Sequence, residues 1–282
     1  MNIIEMKKWG IQVLKENQIG DATIQVKRLL AYVLGMDTKD FIKEETKIVM
    51  PKQEQIFKKY IQEIVKGKPI QYITHIQEFM KLSFYVNEHV LIPQPDTECL
   101  VEEVIKIGEK CEKPKILDMC TGSGCIGISL ATYLPDSSIW MSDISKKALE
   151  IARKNIKNNQ LEGQVTCIQS DMFKQIPQEK MWDILVSNPP YISKEELKEL
   201  PLSVKQEPAI ALDGGNDGLD FYRIILKEAL KYVKKEGYVC LEIGYEQKIA
   251  VEKIVKEEGF YQKVTCIQDL AKRDRVIIAK LK

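Results

Sequence analysis

From residue 116 onward, short apolar runs alternate with longer stretches whose apolar residues recur at helical spacing, and this restricts the fold more than any other feature of the chain. The runs are Ile116 to Leu117, Ser138 to Ser142, Val165 to Gln169, Asp183 to Ser187 and Tyr238 to Ile243. Strands separated by helices build βαβ units, hence a mostly parallel sheet with helices on both faces and ligands at the carboxyl ends of its strands. Two more strand-like runs, Tyr261 to Ile267 and Arg275 to Leu281, are divided by a short charged segment instead of a helix. They predict an antiparallel hairpin at one edge of an α/β sheet.

The first part of the chain reads differently. Apolar residues recur at helical spacing from Ile3 to Leu14 and from Ile24 to Leu34, with Gly20-Asp21 between them as a stop followed by an N-cap. A further helix is expected to start at Pro51, to bury Ile56, Tyr60, Ile61, Ile64 and Val65, and to end at Gly67 with Pro69 beyond it. Phe79 to Ile92 is rich in β-branched and aromatic residues around Asn87-Glu88, which predicts a short hairpin; Pro93-Gln94-Pro95 then closes it in extended conformation. The expected division is a helical unit over 1–74, a hairpin linker over 75–93 and the α/β domain over 94–282. A length of 282 residues with 44% hydrophobic content suits one full-sized domain and a smaller companion.

Several function classes are excluded or weakened. The 42 basic and 41 acidic residues leave a net charge of +1, so no global field draws the chain onto a phosphate backbone, and stable nucleic-acid binding is not expected. Seven cysteines without paired C-x-x-C spacing read as reduced thiols of a cytoplasmic protein. Neither a signal peptide nor a membrane span is expected. His75 and His89 are far from any carboxylate or cysteine cluster and read as hairpin or surface residues, so no metal site is expected. The lysines and arginine between Lys146 and Lys157 alternate with Leu149, Ile151, Ala152 and Ile156, as on the solvated side of an amphipathic helix.

The chemistry concentrates at the ends of the strands. The first strand of the α/β domain ends at Asp118 and runs into Cys120-Thr121-Gly122-Ser123-Gly124, a turn whose glycines let backbone approach a ligand. Gly122, Gly124 and Gly127 also satisfy G-x-G-x-x-G, and Asp143 closes the second strand about 20 residues on, as a ribose-binding carboxylate would. The turn alone does not choose between cofactors. A carboxylate at Asp118 suits the cationic amino-acid end of S-adenosylmethionine and would repel a pyrophosphate, which favours the methyl donor. After the third strand, Asp171 is placed to accept from the adenine amino group, with Met172 and Phe173 flanking the ring.

Asn188-Pro189-Pro190-Tyr191 follows the fourth strand directly. An amide or aromatic amine is a poor nucleophile because its lone pair is delocalised. Asn188 Oδ1 and the Pro189 carbonyl can both accept from a target NH₂ and aim its lone pair at a sulfonium methyl. Two prolines keep this loop out of a helix, and Tyr191 would stack on the planar target. Asn188, Pro189 and Tyr191 are therefore the expected catalytic residues, with Pro190 completing the substrate site.

With these residues in view, the chain resembles the release-factor glutamine methyltransferases of the HemK/PrmC type over nearly its whole length. Besides Asn188 to Tyr191, the likeness rests on Gly67 to Tyr72, Leu91 to Glu98, Glu207-Pro208, Ala211 to Gly215, Asp217 to Tyr222, Leu241 to Gly244 and Arg273 to Arg275. The resemblance implies a helical amino-terminal domain, a hairpin linker and a Rossmann-like catalytic domain. It implies N5-methylation of the glutamine in the Gly-Gly-Gln loop of peptide-chain release factors, with S-adenosylmethionine contacting Cys120 to Gly124, Asp143, Met172 and Asn188. Three positions depart from the family's pattern: Cys120 where many relatives have glycine, Gln94 in place of arginine, and Met172 where an aromatic residue is common. The competing readings are an amino-methyltransferase acting on adenine or guanine in DNA or RNA, an NAD-dependent oxidoreductase, and a non-enzymatic binding module with a relict cofactor site.

Overall fold

The computed structural model describes residues 1–36, 46–178 and 181–282. The chain divides into two compact units, one made of Met1–His75 with Pro201–Gln206, the other of Ile76–Leu200 with Glu207–Lys282.

The first unit contains the helices α1 (Ile3–Glu16), α2 (Ala22–Leu34), α3 (Pro51–Val65) and α4 (Ile70–Thr74). Helix α1 opens with a capping box in which Asn2 and Glu5 each accept the other's backbone N–H. Asp21 stands at the N-cap of α2, but its backbone is left-handed and its side chain does not cap. The buried stripe of α3 is Phe57, Ile61 and Ile64; Ile56, Tyr60 and Val65 are only partly buried, because Phe57 rather than Ile56 points inward. Phe57 takes that place because Gly10 of α1 leaves room: a Cβ there would lie 2.9 Å from the Phe57 ring.

The second unit begins with a hairpin of β1 (Ile76–Phe79) and β2 (Leu82–Tyr85). Its turn is Met80-Lys81, both left-handed, and not Asn87-Glu88 as the sequence suggests. Neither residue favours that conformation locally. Tertiary bonds hold it: the Met80 N–H donates to Glu98 Oε1 and its carbonyl accepts from the Tyr133 hydroxyl.

After α5 (Pro95–Gly108) come β3 (Lys115–Met119), α6 (Cys125–Tyr133), β4 (Ser138–Asp143), α7 (Lys146–Asn158), β5 (Val165–Gln169) and β6 (Trp182–Ser187). They are followed by α8 (Glu196–Glu199), α9 (Asp220–Glu228), β7 (Val233–Glu242), α10 (Lys248–Glu258), β8 (Tyr261–Gln268) and β9 (Asp274–Leu281). Among the described residues these strands form a seven-stranded sheet in the order β5-β4-β3-β6-β7-β9-β8. The first five run parallel, while β9 is antiparallel to both β7 and β8. This is the α/β class with the antiparallel edge hairpin that the sequence predicts.

Apolar clusters cover both faces of the sheet, one containing Leu117, Trp182, Tyr222 and Leu241, the other Ile116, Ile128, Ile184 and Cys240. The parallel register aligns the carboxyl ends of the strands at Met119, Asp143, Gln169, Ser187 and Glu242, so that the loops after them converge. Asn155 of α7, fully buried, ties three segments together. Its Oδ1 accepts from the Tyr85 N–H at 2.7 Å, and its Nδ2 donates to the carbonyls of Tyr85 and Ser123. Among the described residues no helix is long and apolar enough to cross a membrane.

Candidate active site

A cavity opens at the carboxyl ends of β3, β4, β5 and β6. Its wall includes Cys120, Gly122, Asp143, Asp171, Met172, Asn188 and Pro190 among the residues singled out from the sequence. The turn after β3 is shaped by left-handed backbone at Cys120, Gly122 and Gly124, with φ of 58°, 55° and 84°. Gly122 has no atom within 4 Å of where a Cβ would stand, which leaves open space for a ligand against the backbone. The conformation of Cys120 gives a physical reason for glycine at this place, and the cysteine bears the strain instead. Burial pushes its thiol up to about 12, so it is a neutral wall residue.

Asp143 is anchored by the backbone. Its Oδ2 accepts from the Gly122 N–H at 2.9 Å and its Oδ1 from the Ser145 N–H at 2.8 Å. These bonds fix the carboxylate and leave further lone pairs facing the cavity. Burial raises its proton affinity, opposed by those N–H groups.

Asp118 requires a correction. It is fully buried and is not in the cavity wall: Oδ2 accepts from the Thr121 hydroxyl at 2.6 Å and from the Gly127 N–H at 3.0 Å, and Oδ1 has no partner. Burial pushes its carboxyl up to about 7. Through Oδ2 the residue braces the turn from behind. Thr121 and Ser123 are likewise buried, and neither they nor Gly124 belong to the wall.

On the β5 side, Met172 lines the cavity with left-handed backbone, its carbonyl accepting from the Ser170 hydroxyl. Asp171 also lines it, with Oδ2 paired to Lys174 at 2.6 Å on the exposed side. Phe173, expected to flank a ring beside Met172, is turned into the core and stacks on Tyr232 at 4.5 Å. At this pair the core takes the aromatic and the cavity takes the thioether.

The loop after β6 brings Asn188 and Pro190 into the wall, while Pro189 is buried and Tyr191 lies outside the lining, half-buried. Asn188 Nδ2 donates to Thr97 Oγ1 in the first turn of α5 at 3.2 Å. The backbone of the loop is held by a second strand of chain. The Ile192 N–H donates to the Leu212 carbonyl, the Gly214 N–H to the Ile192 carbonyl, and Gln247 Nε2 to the Tyr191 carbonyl. A Cβ at Gly214 would lie 2.7 Å from Tyr191 Cα, and one at Gly218 would lie 2.4 Å from the Tyr191 oxygen. These glycines are what allow residues 214–218 to back the loop so closely.

Sequence reasoning missed part of the wall. His89, Val90, Leu91, Pro208, Ile210, Ala211 and Phe221 all line the cavity. His89 is thus a cavity residue, not a bland hairpin position. The signal that could have placed Pro208 was the Glu207-Pro208 pair: Glu207 Oε2 accepts from the Ile92 N–H at 2.9 Å, which joins the 207–211 loop to the residues after the hairpin. Among the described residues of the wall, the acidic side chains are Asp143 and Asp171, and no lysine or arginine accompanies them. This charge pattern suits a cationic ligand and opposes a pyrophosphate.

The chain matches two family models, the PrmC N-terminal domain over residues 5–74 and the methyltransferase small domain over residues 95–204. It is 42% identical to the release factor glutamine methyltransferase of Clostridium acetobutylicum over 254 residues, 89% of this chain and 88% of that one. It is 40% identical to the protein of the same name from Clostridium botulinum over 276 residues, 96% of each chain. Among solved structures, the hMettl16 catalytic domain in complex with a MAT2A 3′UTR hairpin superposes with a TM-score of 0.59 at 19% identity, over 77% of this chain and 83% of that one. At that identity the likeness is one of fold.

Proposed function

The chain belongs to the family of release factor glutamine methyltransferases, and on that premise we propose that it methylates the side-chain N5 of the glutamine in the Gly-Gly-Gln motif of peptide-chain release factors. It is an S-adenosylmethionine-dependent methyltransferase. The observation that carries the site assignment is that the Asn188 to Tyr191 loop adjoins an acidic cavity that holds no lysine or arginine and is floored by a glycine turn.

Bound there, S-adenosylmethionine supplies an electrophilic methyl on a sulfonium sulfur. The residues of the chain do the rest. Gly122 and Cys120 offer backbone against the donor, Asp143 accepts from ribose hydroxyls, and Met172 with Ile144 and Ala148 gives an apolar surface for the adenine. Asn188 Oδ1 and the Pro189 carbonyl accept from the target NH₂, drawing its lone pair out of conjugation toward the methyl. With the target so held, the nitrogen would take the methyl as the sulfonium became a neutral thioether, and one of the two protons held by Asn188 Oδ1 and the Pro189 carbonyl would pass to solvent. Among the described residues no cluster of metal-binding side chains is found, and the chemistry calls for none.

The deciding experiment is methyl transfer from labelled S-adenosylmethionine to purified release factor. It compares wild type, Asn188→Ala, and a substrate whose Gly-Gly-Gln glutamine is replaced. Label on that glutamine, lost in both controls, is the expected result. Label on DNA or RNA instead would transfer the function to nucleic-acid amino-methylation.

The helical unit is assigned to recognising the body of the release factor, while the cavity reads only the glutamine loop. This unit leaves Ile24, Ile48 and Met50 exposed. Replacing all three by serine is expected to raise KM for whole release factor and leave KM for a short glutamine-loop peptide unchanged. An equal effect on both substrates would refute the assignment.

A further inference from the structure

Gln247 stands at the N-terminus of α10, outside the cavity wall, and its side-chain amide reaches the end of the Asn188 to Tyr191 loop. Nε2 donates to the Tyr191 carbonyl at 2.9 Å and to the Gly218 carbonyl at 3.3 Å. Oε1 accepts from the Gly244 N–H at 3.0 Å and lies 3.2 Å from the Tyr222 hydroxyl. Two glycines leave the room for it: a Cβ at Gly218 would lie 2.7 Å from Nε2, and one at Gly244 would lie 3.0 Å from Oε1. The two ends of a carboxamide have nearly the same shape, but here the backbone tells them apart. A carbonyl only accepts and an N–H only donates, so Nε2 must face Tyr191 and Gly218 while Oε1 faces Gly244.

We propose that Gln247 is a positioning residue for methyl transfer: it anchors the far end of the Asn188 to Tyr191 loop and so sets where Asn188 Oδ1 and the Pro189 carbonyl meet the target nitrogen. The near end is fixed by the sheet, because Ser187 ends β6 and its hydroxyl donates to the Met119 carbonyl at 2.7 Å. At the far end, the peptide between Tyr191 and Ile192 is held on both sides. Gln247 binds its carbonyl, and its N–H donates to the Leu212 carbonyl at 3.0 Å. Between the two ends lie Pro189 and Pro190, whose rings fix φ and which have no N–H to donate. The middle of the loop is therefore stiff and takes its place from its ends. Releasing the Tyr191 carbonyl lets one end swing, and a misplacement of about 1 Å at a reacting group can cost about 10²-fold in rate.

The kinetic test rests on the glutamine-methylation reading and uses release factor as substrate. Gln247→Met keeps the bulk and removes both ends of the amide. It is expected to lower kcat about tenfold or more, with KM and S-adenosylhomocysteine affinity within about threefold of wild type. Gln247→Glu keeps the shape but sets an oxygen against two carbonyls. Ionised, it repels the Tyr191 carbonyl; protonated, its hydroxyl donates there while the other oxygen still accepts from Gly244. Facing carbonyl oxygens favours the protonated form, so kcat of Gln247→Glu relative to wild type at the same pH should rise several-fold from about pH 8 to about pH 6. Tyr222 is the titratable side chain bonded to Gln247, and burial pushes its hydroxyl well above that range, so it stays neutral throughout.

Wild-type kcat in Gln247→Met, or a Gln247→Glu ratio that is flat with pH, would overturn the proposal. Should Gln247→Met fail to fold, the pH dependence of that ratio decides alone. A wild-type enzyme that does not label release factor would instead sink the function reading. The anchoring then keeps its own test in hydrogen exchange of the Ile192 backbone amide. Exchange should be about tenfold or more faster in Gln247→Met than in the wild type, and equal rates would refute it.

Discussion

At the scale of single residues, the proposed reaction rests on two side chains held in different ways, one facing the target nitrogen and one facing the methyl donor. Asn188→Ala removes an acceptor that is useful only when the target nitrogen pyramidalises, so kcat should fall by about 10²-fold with donor affinity little changed. Asp143→Ala should do the reverse: weaker S-adenosylhomocysteine binding by about tenfold or more, measured by calorimetry, because it loses the ribose acceptor and frees the Gly122 N–H. Their places in the cavity wall were legible because Asp143 ends β4 and Asn188 directly follows β6, and strand ends in a parallel sheet are where ligands bind. Asp118 ends a strand too, yet it serves the turn from behind. Position along the chain gives the end of the sheet, but not whether a side chain leans into the cavity or under it. The same limit explains Phe173, whose neighbour Met172 took the wall.

At the scale of elements, the loop after β6 has little internal means of holding its shape and is braced by its neighbours. Gly218 has φ +74° and faces the Tyr191 carbonyl, so Gly218→Ala should displace the loop. The expected signature is reduced kcat with unchanged donor affinity. Asn155 gives a stability test. Replacing it with alanine leaves the Tyr85 N–H and two carbonyls without partners, and should destabilise the second unit by roughly 2–4 kcal/mol, read by chemical denaturation. The order of strands and helices could be read from alternation of apolar runs, since period and length are local properties. The hairpin turn could not. Asn87-Glu88 looks like a turn locally, whereas Met80-Lys81 becomes one only because Glu98 and Tyr133 hold it from outside the hairpin. The meeting of Thr97 and Asn188 was hidden for the same reason.

At the scale of the whole molecule, the buried carboxyls set a pH dependence of stability. Asp118, Glu207 and Glu242 are each pushed up to about 7 by burial, above their ordinary values of 3.8, 4.5 and 4.5. The folded state therefore holds protons that the unfolded chain has released, and stability should fall as pH rises from about 4.5 to about 7 and level off above that. Glu54, Asp217 and Glu236 are held below their ordinary values by Lys58, Arg223 and Lys280, so below about pH 4.5 stability should rise with pH. Denaturant titrations at several pH values should place the maximum near about pH 4.5; a maximum above about pH 7 would contradict the burial of these groups. The strand order carries one more consequence. β9 lies between β7 and β8 although it follows both in the chain, and it carries Arg275, which pairs with Asp96 at the start of α5. During synthesis, β8 has no strand to pair with until β9 has left the ribosome. A chain cut short before residue 274 would therefore leave β7 at an open edge of the sheet and β8 with no strand to pair with.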